Sequence, residues 1–128
     1  MKYLLDTDVL IDNLRKKVKL KREIVEAGTA TTIINVGELV YGAFKSKNPQ
    51  KASEVVEDFL ADLEIEIITL NKEIIYVFGK LKADLETKGQ RLEDFDLLIA
   101  STAIAHSLTL VTNNIRHFSR IPNLQVAE

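Results

Sequence analysis

Tyr3-Leu4-Leu5-Asp6-Thr7-Asp8 is the stretch on which the fold turns. Three apolar residues run straight into a polar cluster, which is the pattern of a short buried strand whose carboxyl end opens into a site. The same pattern recurs near the other end of the chain, where 108–111 reads as a strand and Thr112-Asn113-Asn114 follows it. Between these two strands lie further segments of both periods. Residues 9–14 form a short helix, 23–27 a second one stopped by Gly28, and 29–31 a β-leaning strand. Val36, Leu39, Val40, Ala43 and Phe44 recur at spacings of three and four and predict a helix over 33–45. Asn48-Pro49 marks a turn before another helix over 50–63. A strand follows at 64–70, then a helix over 71–87 that Lys88-Gly89 stops. Asp94-Phe95-Asp96 leads into 97–105, apolar nearly all round and therefore a central helix, and 124–126 reads as an edge strand after Pro122.

Strands alternating with helices predict an α/β three-layer architecture, a central parallel sheet of four or five strands flanked by helices. At 128 residues the chain suits one domain over 1–128. Ligands of such folds bind beyond the carboxyl ends of the strands. The clusters at Asp6 and Thr112 fall at those ends, and Asp96 opens a buried helix facing the same edge.

Composition narrows the chemistry. With no cysteine there are no disulfides, zinc-thiolate sites or thiol nucleophiles, so a metal would sit on oxygen or histidine. Seventeen Lys and Arg against nineteen Asp and Glu give a net charge of -2, so contact with nucleic acid must come from a local patch. The one marked patch is 15–22, which holds six basic residues in eight positions. It reads either as a solvated face or loop or as a grip on phosphate backbone through Arg15, Lys16 and Lys17. Met1 to Leu5 is too short for a signal peptide and no run reaches the ~20 apolar residues of a membrane span, so a cytoplasmic location is expected, away from any membrane.

Asp6, Glu38 and Asp96 each stand among apolar residues with few cations nearby in sequence. Singly, Asp6 reads as a helix cap, Asp94 or Asp96 as a dipole partner, and Glu38 as a solvent-facing side chain. Jointly they converge on one edge of the sheet, and an all-oxygen site selects Mg²⁺ or Mn²⁺. Asp12, Asp58, Asp62 and Glu64 read as solvated. His106 and His117 read as bystanders, although His117 and Arg116 stand near enough to the Thr112 cluster to touch a substrate.

Four motifs in order, Leu5-Asp6-Thr7-Asp8-Val9-Leu10-Ile11, Glu38-Leu39-Val40-Tyr41-Gly42, Asp96-Leu97-Leu98-Ile99-Ala100 and Leu110-Val111-Thr112-Asn113-Asn114 with Phe118, resemble PIN-domain ribonucleases of the VapC toxin type. The resemblance implies a PIN-like fold and metal-dependent cleavage of RNA, with Asp6, Glu38 and Asp96 as the acidic metal ligands. Asn114 matches a fourth position that is often Asp. Asp8 stands where Asn is common, placed either to restore that charge or to hydrogen-bond Asp6. Thr112 and Thr32 stand where hydroxyls support the site, with Asp94 beside it. The resemblance also implies an antitoxin partner, a homodimer, and a 5′-phosphate product. The three acids sum to -3, so one divalent ion leaves -1 and a second, brought with the RNA phosphate, leaves +1.

Two other readings deserve comparison. Asp6-Thr7-Asp8-Val9 also looks like the start of a haloacid-dehalogenase-type phosphatase. That family needs a lysine and a further acidic pair after its second motif, and only fourteen residues follow Asn114, none acidic but Glu128. A non-catalytic PIN-fold binding module is the other alternative.

Overall fold

The computed structural model describes residues 2–128. Five strands form one parallel sheet. In chain order they are β1 (Tyr3–Leu5), β2 (Thr29–Thr32), β3 (Glu66–Ile68), β4 (Thr109–Val111) and β5 (Val126–Ala127). Their order across the sheet is β3-β2-β1-β4-β5, so the first strand of the chain is the central one. β1 runs alongside β2 with Leu4 opposite Ala30, and alongside β4 with Leu5 opposite Val111.

The helices cover both faces. They are α1 (Thr7–Leu14), α2 (Arg22–Ala27), α3 (Ile33–Phe44), α4 (Pro49–Asp62), α5 (Lys72–Thr87), α6 (Asp94–Ala105) and the short α7 (Ile115–Phe118). Successive strand residues point to opposite faces. Leu4 and Leu110 accordingly join the core built with Leu81, Leu85, Leu97 and Ile99 of α5 and α6. Their neighbours Leu5 and Val111 join the other core, with Leu10, Leu39, Val56 and Leu60 of α1, α3 and α4. A three-layer α/β sandwich follows from that alternation, as the sequence predicts. Among the described residues no helix is long and apolar enough to cross a membrane.

The differences from the predicted elements have local causes. α1 begins at Thr7 rather than at residue 9 because the Asp6 carboxylate accepts the Thr7 N–H and caps the helix. β3 is shorter than the predicted 64–70 because Glu64 adopts a left-handed φ of 53°, and the Ile65 N–H returns to the Leu60 carbonyl to close the end of α4. The last strand is displaced from 124–126 to Val126–Ala127, beyond a turn in which Asn123 takes φ 67°. Most of the basic run forms an exposed loop, one of the two forms that its solvated reading allowed. Lys16 is left-handed there, and the N–H groups of Lys17 and Val18 donate to the Asp12 carbonyl before α2 begins at Arg22.

Two hydrogen bonds carry this framework to the edge where the polar clusters lie. The buried Thr31 hydroxyl donates to the Leu5 carbonyl (2.8 Å), and the Asp6 N–H donates to the Val111 carbonyl (3.0 Å). The ends of β1, β2 and β4 are thereby locked in register just where the acids begin.

Candidate active site

Asp6 emerges from the carboxyl end of β1 and is only 8% exposed. Its Oδ1 accepts hydrogen bonds from the Thr7 N–H (2.9 Å) and the Asn35 amide (3.2 Å), and its Oδ2 accepts one from the Thr112 hydroxyl (2.8 Å). Burial pushes its carboxyl above the usual carboxylate range, and the charge of Asp96 adds to the rise, while these hydrogen bonds offset part of it.

Glu38 lies one helical turn beyond Asn35 on α3, on the same face. Its Oε1 accepts the Thr7 hydroxyl at 2.6 Å, and Asn35 donates in turn to that hydroxyl oxygen at 2.8 Å. The result is a continuous ladder Asp6–Asn35–Thr7–Glu38 built from β1, α1 and α3. Partial burial raises the Glu38 carboxyl, and the charges of Asp6 and Asp96 raise it further, against the Thr7 hydrogen bond. Asp96, in the first turn of α6, approaches from the opposite side. Its Oδ2 lies 2.9 Å from His117 Nε2.

Asp8 does not bond to Asp6. Its Oδ2 accepts the Asn113 N–H (3.2 Å), and its Oδ1 is buried with no hydrogen-bond partner. Burial raises its carboxyl too, followed by repulsion from Asp6. Among the described residues the ion pairs are Arg22–Glu26, Lys82–Asp94 and the His117–Asp96 contact, so no Lys or Arg neutralises Asp6, Asp8 or Glu38. Repelling carboxylates gathered without a cation form a place for one.

The remaining sequence expectations divide clearly. Thr112 is fully buried, and its hydroxyl donates to Asp6. The Thr32 hydroxyl does not reach the acids. It caps α3 in a reciprocal capping box with Asn35, and so holds the residue that does reach them. The Asn114 side chain is exposed and only its backbone N–H touches the site, donating to the Thr112 hydroxyl oxygen (3.1 Å). Asp94 is drawn to Lys82 at 2.9 Å instead of to the acids. Asp12, read as solvated, accepts a hydrogen bond from the Asn113 amide (2.9 Å). His117, read as a bystander, is the partner of Asp96. Arg15, Lys16, Lys17 and Arg116 are all exposed.

Two residues of this site, Thr7 and Asn35, escaped the sequence reading, and His117 stands in it as a substrate contact at most, not as the partner of Asp96. Asn35 left a trace, since Thr32-x-x-Asn35 at a helix start is a cap signature and Asn35 shares a helix face with Glu38. Thr7 and His117 are defined only by contacts made across long stretches of chain.

A divalent ion is tested here by the donors themselves. Glu38 Oε2 and Asp96 Oδ1 carry no hydrogen bond among the described residues, and Asp6 Oδ2 carries only the one from Thr112, so each acid keeps an oxygen lone pair to offer. Buried Asp8 Oδ1 lies two residues from Asp6, unpartnered. An all-oxygen set of this kind fits Mg²⁺ or Mn²⁺. Among the described residues no three acidic or histidine side chains already stand at coordinating distance, so the acids share one field without having closed into a cage.

Comparison with known proteins places this geometry. A PIN domain model matches residues 3–124, and the chain belongs to the PIN-domain family. Its relatives include Ribonuclease VapC2 of Rickettsia felis, 39% identical over 97% of this chain and 95% of that protein. The tRNA(fMet)-specific endonuclease VapC of Salmonella typhimurium is 33% identical over 100% of this chain and 98% of its own length. Among solved structures, the DNA-bound VapBC of Salmonella typhimurium superposes with a TM-score of 0.90 at 32% identity, covering 99% of this chain and 97% of that one. VapBC2 of Rickettsia felis, bound to a DNA fragment from its promoter, gives 0.88 at 36% identity, covering 99% and 98%.

Proposed function

We propose that this protein is a VapC-type endoribonuclease, a single PIN-like nuclease domain over 1–128 that hydrolyses RNA phosphodiester bonds and acts as the toxin of a toxin–antitoxin pair. The observation that carries the reading is the uncompensated acid cluster: Asp6, Asp8 and Glu38 have raised carboxyls, the Asp96 charge adds to two of them, and no Lys or Arg answers them. Asp6, Glu38 and Asp96 would hold Mg²⁺ or Mn²⁺, whose Lewis acidity supplies stabilisation of the charge that builds on the phosphate oxygens. The chain's own residues prepare the place. Thr7 turns the Glu38 carboxylate through Oε1, Asn35 ties Thr7 to Asp6, and Thr112 fixes Asp6 Oδ2. Arg15, Lys16, Lys17 and Arg116 supply exposed positive charge for the RNA backbone despite the net charge of -2.

The antitoxin reading draws support from a groove of about 540 Å³ between α1, α3 and α4. Ile11, Leu14, Leu39 and Val56 line it together with Arg15 and Glu38, so a partner segment lying there reaches the acid cluster. The VapC resemblance adds a homodimer and a cytoplasmic setting to the proposal.

The test is cleavage of structured and single-stranded RNA with Mn²⁺, with EDTA, and with the Asp96→Asn variant. The Salmonella relative makes tRNA(fMet) the first structured RNA to try. Cleavage by the wild type is expected with Mn²⁺ alone. EDTA is expected to abolish it, and Asp96→Asn to lower it by more than about a hundredfold without loss of fold. A fully active Asp96→Asn variant refutes the assignment. No metal-dependent product from any RNA favours the non-catalytic binding module.

A further inference from the structure

His117 is held on three sides, more tightly than a chance neighbour of Asp96. Its Nε2 lies 2.9 Å from Asp96 Oδ2. On the far side of the ring, Arg120 Nη2 lies 3.3 Å from Nδ1 while Arg120 Nε donates to the His117 carbonyl, also at 3.3 Å. The buried Phe118 ring meets the imidazole nearly perpendicular, at 84° and 5.2 Å between centroids. A guanidinium only donates, so Nδ1 takes the accepting role and Nε2 presents a hydrogen to Asp96.

We infer that His117 is a positioning residue for the metal-ligating carboxylate of Asp96, with Arg120 fixing the tautomer that lets it serve. The inference rests on the metal reading proposed above. The hydrogen on Nε2 bonds to Oδ2 and so leaves Oδ1, which carries no hydrogen bond among the described residues, to the ion. Asp96 needs such a partner more than Asp6 does. Its side chain is 31% exposed and stands in the first turn of a helix, with no other side-chain hydrogen bond among the described residues. Outer partners that orient a ligand in this way typically change metal affinity by about 10–100-fold when removed. The sequence alone offers no sign of it, because α7 is a single turn that brings residue 117 back against residue 96 only in the folded chain.

Two measurements decide it. In metal-free, ¹⁵N-labelled protein, the imidazole nitrogens of His117 are expected to show hydrogen on Nε2 and a bare, accepting Nδ1. In calorimetric Mn²⁺ titrations, His117→Leu is expected to bind about 10–100-fold more weakly than wild type. His117→Gln, whose amide nitrogen can still donate near the Nε2 position, is expected to recover to within a few fold. Arg120→Met, an exposed change made in case His117→Leu folds poorly, is expected to weaken binding several-fold with an unchanged urea midpoint. Hydrogen on Nδ1, or undiminished Mn²⁺ uptake by His117→Leu, overturns the inference alone. A wild-type protein that takes up no Mn²⁺ overturns the metal reading, and this inference with it.

Discussion

Asp6 receives hydrogen bonds from three segments of the chain, at Thr7, Asn35 and Thr112, and lies almost wholly buried, whereas Asp96 leans on one imidazole from a single-turn helix. The two acids repel each other across the same site. One wall, made of β1, α1 and α3, is stiffened by interlocking polar contacts among buried groups. The other, made of α6 and α7, carries a half-open carboxylate with one support. The contrast shows how a charged site fits on a stable sheet: the strand-borne acid is held by many parts of the fold, and the helix-borne acid by one.

Removing the stiff wall's keystone gives the largest expected change in stability. Asn35 is fully buried and joins the α3 cap to both Asp6 and Thr7. Asn35→Ala is expected to cost about 2 kcal/mol, since it leaves buried partners unsatisfied. Urea denaturation measures this, with Arg120→Met on the other wall as the near-neutral control. Equal losses from the two substitutions would erase the distinction between the walls.

A smaller effect is expected from pH. Asp6, Asp8 and Glu38 all have carboxyls raised on folding, chiefly by burial. Such acids favour the folded state fully below their ordinary unfolded range and lose that contribution as pH climbs through the raised values. The metal-free protein is therefore expected to show a higher urea midpoint at about pH 4, in the ordinary carboxylate range, than at about pH 7.5. Saturating Mn²⁺ is expected to reduce that difference by stabilising the higher-pH form. A metal-free midpoint that falls on mild acidification would mean that hydrogen bonding to Asp6, rather than burial, dominates its wall.

The smallest expected effect lies outside both walls. Replacing Arg15, Lys16 and Lys17 with Gln is expected to weaken single-stranded RNA binding several-fold. It is also expected to lower the slope of log affinity against log salt by about 2, at roughly 0.7 per lost phosphate contact. Filter binding over a range of salt reads both. An unchanged slope would mark the loop as a solvated face.

The stiff wall was also the more legible one. Leu4-Leu5-Asp6 reads as strand and polar edge directly, and the periodicity of Val36, Leu39, Val40 and Ala43 sets Glu38 on a core-facing helix. These signals are local, so sequence carries them. Asn35 was hidden behind Thr32, which stands in the expected place but spends its hydroxyl on the helix cap. The second wall was legible only for Asp96. Its partner His117 stands 21 residues away behind a strand and a turn, and nothing in the spacing of an exposed-looking Ile-Arg-His-Phe segment shows that its third side chain folds back. Asp94 misled for a related reason: its salt bridge reaches α5, and periodicity within α6 says nothing of which acid a neighbouring helix will claim.

The middle strand of the sheet is also the first of the five in sequence order. One of its flanking partners, β2, follows within thirty residues, but the Thr112 hydroxyl that grips Asp6, just beyond β4, lies 106 residues from it. Contacts so distant along the chain form late. Asp6 therefore gains its Thr112 partner only when the sheet has closed across nearly the whole sequence, and the pocket at the strand ends is among the last parts of the fold to set.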